Sequence, residues 1–293
     1  MMQPPKQQIA PVYHRRIGDI VVTALSDGTL TRSMEMMHNV PPTLAKPFFD
    51  DAFRPGVVIS VNAFLIYSAG KLALIETGSG EYLGNTTGFL LQSLKAAGVA
   101  PEAIETVLIT HMHPDHSAGL TDMKTGKKNY PNAELIMHAN EPRHWYDDAA
   151  MARGTDREKA LFFKAGREQV EPYRKQWKLF EKESEVFPGV TAIPAMGHTP
   201  GHTAYLVQSG QERLLIWGDT VHIPEVQVPR PEVTMTVDTD HPAAAASRKR
   251  IFEMCVSERL LVTGMHLHFP GFGHLARRGS TYEYVPEVWQ QTF

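Results

Sequence analysis

Only one cysteine, Cys255, occurs among the 293 residues. A lone thiol cannot close an intrachain disulfide, and it removes thiolate metal clusters from consideration. Its setting, "RIFEMCVSERL", reads as a helix, so a buried structural thiol is expected. No run reaches the ~18 apolar residues needed to span a bilayer. The opening "MMQPPKQQIAPVYHRR" has no apolar core of the signal-peptide kind, so the expectation is a cytoplasmic chain without a membrane partner. Neither sign of charge dominates: 29 Lys and Arg stand against 32 Asp and Glu, a formal net charge of −3. That balance gives no electrostatic reason for a nucleic-acid partner. Internal repeats and low-complexity tracts are also missing.

What remains is ordinary core-forming material, with 42% hydrophobic residues, and a good deal of histidine, 14 in all. Residues 1–16, rich in Pro and Gln, are expected to form a flexible arm, with one domain over 17–293. "IGDIVVTALSDGTL" reads as a strand closed by a Ser-Asp-Gly turn. Residues 31–55 read as Pro-rich loop. "GVVISVNAFLIYSAGKLALIETGSG" reads as two strands joined at Ala-Gly, and "TTGFLLQSLKAAGV" as a helix stopped by Gly98. "PEAIETVLITHMH" gives a short helix and a buried strand, and "AELIMH" another strand. Residues 140–185 carry aromatics at roughly helical spacing, including Trp145, Phe162, Phe163, Trp177 and Phe180, and predict two or three helices. "VTAIPA", "TAYLVQ", "RLLIWGD" and "RLLVTGMH" read as strands. "HPAAAASRKRIFEMCVSE" reads as a helix capped by Asp240, with Arg248-Lys249-Arg250 on a solvated face. Strands in both halves, separated by helices, predict an α/β domain with two packed sheets.

The chemistry concentrates in "THMHPDHSAGL". Pro114 forbids a helix running through the motif and pushes His113 toward an extended conformation. In an extended segment His111 and His113 point the same way. Asp115 and His116 follow where the chain must turn. One tetrahedral metal cannot easily use all four groups from so short a loop, whereas two adjacent metals can. Further candidates sit at other strand ends: His198 and His202 in "AMGHTPGH", Asp219 in "LLIWGDT", and His266, His268 and His274 in "LLVTGMHLHFPGFGH". Strand-end loops are where a rigid scaffold displays catalytic groups.

The ordered series "THMHPDH", "GHTPGH", "WGDT" and a late strand-end histidine resembles the metallo-β-lactamase superfamily of binuclear metal hydrolases. The tail "GMHLHFPGFGHLARRGSTYEYVP" and the opening "IGDIVVTALSDGT" look like the branch that holds methyl parathion hydrolase and its lactonase relatives. This resemblance implies a four-layer αβ/βα sandwich with a helical insertion near 140–185. It implies that His111, His113 and His198 hold one metal, that Asp115, His116 and His266 hold the other, and that Asp219 bridges them. His202 would orient a ligand or its loop. Glu76, in "IETGSG", stands where the superfamily usually has Asp.

Imidazole and carboxylate donors suit zinc, with manganese, cobalt or iron as alternatives. Two such ions ~3.5–4 Å apart can hold a bridging water and lower its pKa toward neutrality. The resemblance therefore implies a hydrolase whose metal-bridging hydroxide opens small apolar lactones, N-acyl homoserine lactones among them. Asp115, Asp219 and His222 are the candidate catalytic groups. His222, three residues past Asp219, could give a proton to a departing alkoxide. Leu83, Trp145, Phe162, Phe163, His222 and Val237 are the candidate substrate wall, and a homodimer is expected by resemblance. Phosphotriester hydrolysis of the methyl parathion hydrolase type is the alternative, followed by glyoxalase II-like thioester hydrolysis. Flavodiiron proteins share the fold but carry Glu at the position of His113.

Overall fold

The computed structural model describes residues 4, 8, 9 and 11–292. Two seven-stranded sheets face each other. The first runs in chain order through β1 (Val12–Ile17), β2 (Ile20–Arg32), β3 (Val57–Ser68), β4 (Lys71–Ile75), β5 (Thr106–Leu108), β6 (Glu134–His138) and β7 (Trp177–Phe180). The second holds β8 (Ser184–Phe187), β9 (Val190–Pro194), β10 (Thr203–Ser209), β11 (Glu212–Ile216), β12 (Leu261–Thr263), β13 (Gly273–Arg278) and β14 (Thr281–Pro286).

Alternation along the strands divides the core. On β3, Phe64 and Ile66 point between the sheets, where they meet Tyr205, Val207 and Ile216 of the second sheet. Ala63 and Leu65, one residue out of phase, point outward and are covered by Leu90 and Leu94 of the helix Leu90–Ala96. Burial on both faces explains why β3 reads as an unbroken apolar run. The outer face of the second sheet is covered by the helix His241–Ser257, through Ile251, Phe252 and Cys255. The result is the expected helix–sheet–sheet–helix sandwich. Among the described residues no helix is long and apolar enough to cross a membrane.

Several local expectations need correction. Residues 12–16, expected in a flexible arm, belong to β1, which pairs along its whole length with β2; residues 1–3, 5–7 and 10 of that arm lie outside the described residues. Ser26-Asp27-Gly28 is a bulge inside β2 rather than a turn, marked by the register shift between Ser26 and Gly28. The bulge turns the Asp27 carboxylate onto the backbone N–H groups of Ser79, Gly88 and Leu90, a chemistry that also makes Asp a turn residue. Residues 31–55 are not all loop: Pro42–Asp51 is a helix, begun by Pro42 and held down by Ala45 and Phe49 against β2 and β3. The insertion is helical only to Gln176; Trp177 and Phe180 lie on edge strand β7. Arg248, placed on a solvated face by its charged neighbours, is 1% exposed.

Strands β4, β5 and β6 run parallel, as do β11 and β12, and β9 runs the same way as β11 because both are antiparallel to β10. The loops that follow β4, β5, β9, β11 and β12 therefore open at matching strand ends and carry Glu76, His111, His198, Asp219 and His266.

Candidate metal centre

Residues 110–117 leave β5 in an extended path, and Pro114 then starts the short helix Pro114–Ser117 with His113 as its cap. That path carries the His111 and His113 rings to one side, with ring centroids 4.6 Å apart, and sets Asp115 and His116 on the next turn. His198 arrives from the loop after β9. Its Nε2 lies 3.1 Å from His111 Nε2 and 3.0 Å from His113 Nδ1. Asp115, His116 and His266 form a second group: Asp115 Oδ1 is 3.7 Å from His116 Nε2, and Asp115 Oδ2 is 3.6 Å from His266 Nε2. Asp219 lies between the groups. Its Oδ1 is 3.3 Å from His116 Nε2, and its Oδ2 is 3.3 Å from both His198 Nε2 and His266 Nε2.

In His111, His198 and His266 an oxygen holds the far ring nitrogen, which aims the near one at the cluster; the far Nε2 of His113 is buried without a partner. His111 Nδ1 meets Thr110 Oγ1 at 2.9 Å, His198 Nδ1 donates to Asp238 Oδ1 at 2.7 Å, and His266 Nδ1 donates to the Ser60 carbonyl at 2.8 Å. His116 Nδ1 lies 3.3 Å from Glu76 Oε2. Such outer partners fix the ring plane and the tautomer. Glu76 reaches this place from a backbone at φ 70°, a left-handed conformation that costs a non-glycine residue roughly 1–2 kcal/mol. Its Oε1 accepts the Thr110 N–H at 2.8 Å, so the longer acid still ties β4 to the histidine loop.

Cations fit this donor set. With His198 Nε2 3.1 and 3.0 Å from the nitrogens of His111 and His113, the three cannot all be satisfied by protons of their own, whereas tetrahedral zinc with Zn–N bonds of ~2.0–2.1 Å separates its donors by roughly 3.3 Å. His116 Nε2 and Asp219 Oδ1 are buried without hydrogen-bond partners. Electrostatics point the same way. Burial, reinforced by His116, drives the pKa of His111 well below the ordinary value, and burial with His198 does the same to His113. Burial also opposes charge on His116, but Asp219, Asp115 and Glu76 outweigh it and hold that pKa well above the ordinary value. Burial likewise raises Asp219, yet the surrounding imidazoles pull it well below the carboxylate range. Two cations would supply the positive charge that those carboxylates favour there.

His202 does not join the donors. Its Nδ1 donates to the Ala195 carbonyl at 2.9 Å, and its Nε2 accepts the Asp219 N–H at 2.9 Å, so it positions the bridging loop. Gly218, at φ 58°, makes this possible, since a Cβ there would stand 2.5 Å from His202 Nε2. His268 turns away to Glu225, at 2.6 Å, and His274 to the Leu260 carbonyl. His222 Nε2 lies 3.0 Å from Asp219 Oδ2, and both of its ring nitrogens are buried without a hydrogen-bond partner.

Above the cluster lies a cavity of about 60 Å³ bordered by Leu83, His113, Asp115, Phe162, His222 and Val237. A π-helical segment, Lys159–Lys164, brings Phe162 to a ring-centroid distance of 4.3 Å from His113. Such segments recur at functional sites. Trp145 and Phe163 do not reach this cavity. They are 3% and 4% exposed, meet edge to face with ring centroids 4.9 Å apart, and border a neighbouring space of about 230 Å³ that shares His113, Phe162 and Val237.

Two supporting groups gave no signal in the sequence. Glu141, wholly buried, accepts from Met112 N (2.8 Å), Trp145 Nε1 (2.8 Å), Thr199 Oγ1 (2.6 Å) and Gly201 N (2.8 Å), which clamps the His111–His113 and His198 loops together. Arg248 donates to the carbonyls of Thr220 (2.6 Å), Pro231 (3.0 Å) and Val233 (2.7 Å), bracing the segment that carries His222. Only four cross-chain donors converging on a buried carboxylate could have marked Glu141, and a linear reading does not contain that information.

Comparison with known proteins follows these lines. The family model described as the metallo-beta-lactamase superfamily matches residues 56–255. An atrochrysone carboxyl ACP thioesterase of Passalora fulva is 25% identical over 161 residues, 55% of this chain and 38% of its own length. An N-acyl homoserine lactonase of Bacillus cereus is 25% identical over 169 residues, 58% of each chain. The chain thus spans less than two thirds of the length of these curated relatives. Among solved structures, the hydrolase AbOPH of the beta lactamase superfamily matches with a TM-score of 0.91 at 30% identity, over 97% of this chain and 100% of that one. AidC, a dizinc quorum-quenching lactonase solved with a product, matches with a TM-score of 0.89 at 25% identity, over 96% and 99%. The chain belongs to the metallo-beta-lactamase superfamily.

Proposed function

We propose that this chain is a metal-dependent hydrolase that opens small apolar lactones, with N-acyl homoserine lactones as the class to try first. One observation carries the reading: the Asp219 carboxylate stands between two donor groups, with Oδ1 3.3 Å from His116 and Oδ2 3.3 Å from His198. His111, His113 and His198 would hold one divalent cation and Asp115, His116 and His266 the second, with Asp219 shared. Bound there, zinc (or manganese, cobalt or iron) would supply Lewis acidity and acidify a water near neutral pH.

The remaining work falls to the chain. Leu83, Phe162 and Val237 wall the cavity, exclude bulk water and favour an apolar acyl group. In the hydrolysis the carbonyl carbon gains the oxygen of water, the ring C–O bond breaks, and the leaving alkoxide takes a proton. His222 is placed to give that proton from Nε2, on the cavity side of Asp219. Burial lowers the pKa of His222.

The test is kcat/KM for a long-chain acyl homoserine lactone and for a methyl phosphotriester on one zinc-loaded preparation. A lactone preference of about a hundredfold, roughly 2.7 kcal/mol of differential transition-state binding, is expected. The reverse ratio would make the chain a phosphotriesterase.

A further inference from the structure

The cavity over the cluster has a charged side as well as an apolar one. Arg32, the last residue of β2, and Arg157, on the short helix Asp156–Glu158, both border it. Arg32 is half-buried, and its hydrogen bond runs no further than its neighbour, from Nη1 to the Thr31 carbonyl at 3.1 Å. Burial lowers the Arg32 pKa, Asp115 attracts its charge and Arg157 repels it, so the two guanidinium groups share one space beside the cluster. Among the described residues neither makes an ion pair. Several other arginines do form ion pairs, Arg15 with Glu287, Arg54 with Glu225 and Arg167 with Asp148, while Arg248 and Arg250 bond backbone carbonyls.

Like charges brought to one space are unfavourable, more so for the half-buried Arg32, whose screening is weakened, than for the exposed Arg157, and Asp115 is the counter-charge that Arg32 has. The cluster offers them nothing once loaded, since two divalent cations against the carboxylates of Asp115 and Asp219 already leave it positive. General basicity is no explanation either, in a chain of net charge −3. Paired guanidinium groups beside an apolar wall match a ligand with an apolar stem and a compact oxyanion, which arginine binds through parallel N–H bonds.

We propose that the natural substrate is a lactone or ester whose acyl arm ends in an oxyanion, carboxylate or phosphate, held by Arg32 and Arg157 while the scissile group lies at the metal cluster. This rests on the hydrolase reading above and narrows it, because the arm is charged where that of a simple acyl homoserine lactone is neutral.

The experiment uses three lactones of one arm length, ending in a carboxylate, a phosphate or a neutral methyl ester, with the zinc-loaded full chain. The charged arms should be preferred by about tenfold or more in kcat/KM, mostly through KM. Arg157→Gln and Arg32→Gln should each bring that ratio toward one. The better of the two anions names the source. Calorimetric titration with the lactam counterparts, which are not hydrolysed, gives an independent readout. The carboxylate lactam should bind more tightly than its ester, and the double variant should erase the difference. A neutral arm turned over as well as the charged ones, or a preference that survives both substitutions, overturns the proposal. If no lactone is hydrolysed, the hydrolase reading fails, and the lactam titration alone decides the anion site: Arg-dependent tightening upholds it, and equal binding ends it.

Discussion

The two loops that meet at Asp219 are supported in different ways. Residues 110–117 build part of their support within their own turn, beside the Glu76 and Glu141 carboxylates that take the Thr110 and Met112 amides: the amides of His116 and Ser117 both donate to the His113 carbonyl, and Ser117 Oγ lies 3.2 Å from the Met112 carbonyl and 3.1 Å from that of His113. Four candidate ligands arise there within six residues. The segment 217–240 contributes Asp219, His222 and Asp238, and it hangs from distant parts of the chain. His202 holds the Asp219 amide, Arg248 takes three of its carbonyls, Asn39 Oδ1 accepts the Thr234 N–H at 2.9 Å, and Thr239 donates to the His198 carbonyl at 2.8 Å. A ligand loop can be precise because its own turn is stiff, or because separate elements agree on where it must lie. The first kind tolerates distant change; the second inherits every fault of its supports.

Substitutions should break this comparison in order of size. Asp219→Ala strikes the group both loops share. Turnover should vanish and cation content should fall below two per chain by emission spectroscopy, in a protein that stays soluble. Full activity in that variant would sink the two-cation reading. Arg248→Met comes next. It removes three hydrogen bonds, leaves the Thr220 carbonyl without its partner while Val233 keeps Gln227, and should cost about 3 kcal/mol in urea unfolding. Because the damage falls on the hung segment, activity should drop more than stability alone explains, with Arg248→Lys recovering part of both. A loss below about 1 kcal/mol would show that water replaces the guanidinium. The smallest effect belongs to the self-supported loop: Ser117→Ala removes one hydroxyl and should cost about 1 kcal/mol with metal content unchanged. Loss of a cation there would mean that loop is as dependent on its braces as the other.

The same contrast explains what a linear reading could find. "THMHPDH" is legible because its chemistry and its geometry are both local: proline sets the bend, period-two alternation aims two rings, and the donors are neighbours. His198, Asp219 and His266 were visible as strand-end residues, but only pairing order could bring three strand ends to one point. Glu141 and Arg248 were illegible. Each is a charged residue, which by itself reads as surface, and each is buried because polar groups from other segments converge on it. The Ser-Asp-Gly of β2 was misread for a related reason: the hydrogen-bonding habit of Asp holds in a turn or in a bulge, and strand pairing chooses between them. Trp145 and Phe163 drew attention as aromatics; packing placed them against each other, one step behind Phe162.

By itself the sequence determined the class of chemistry and the existence of two sheets, because donor identity, proline placement and hydrophobic period are properties of short segments. Tertiary structure alone decided which histidines converge and which, like His202, brace a loop from behind. It also decided which arginine is buried as a strut and which two stand unpaired at the cavity. Those outcomes depend on the position of one element relative to another many residues away, and no local rule contains that distance.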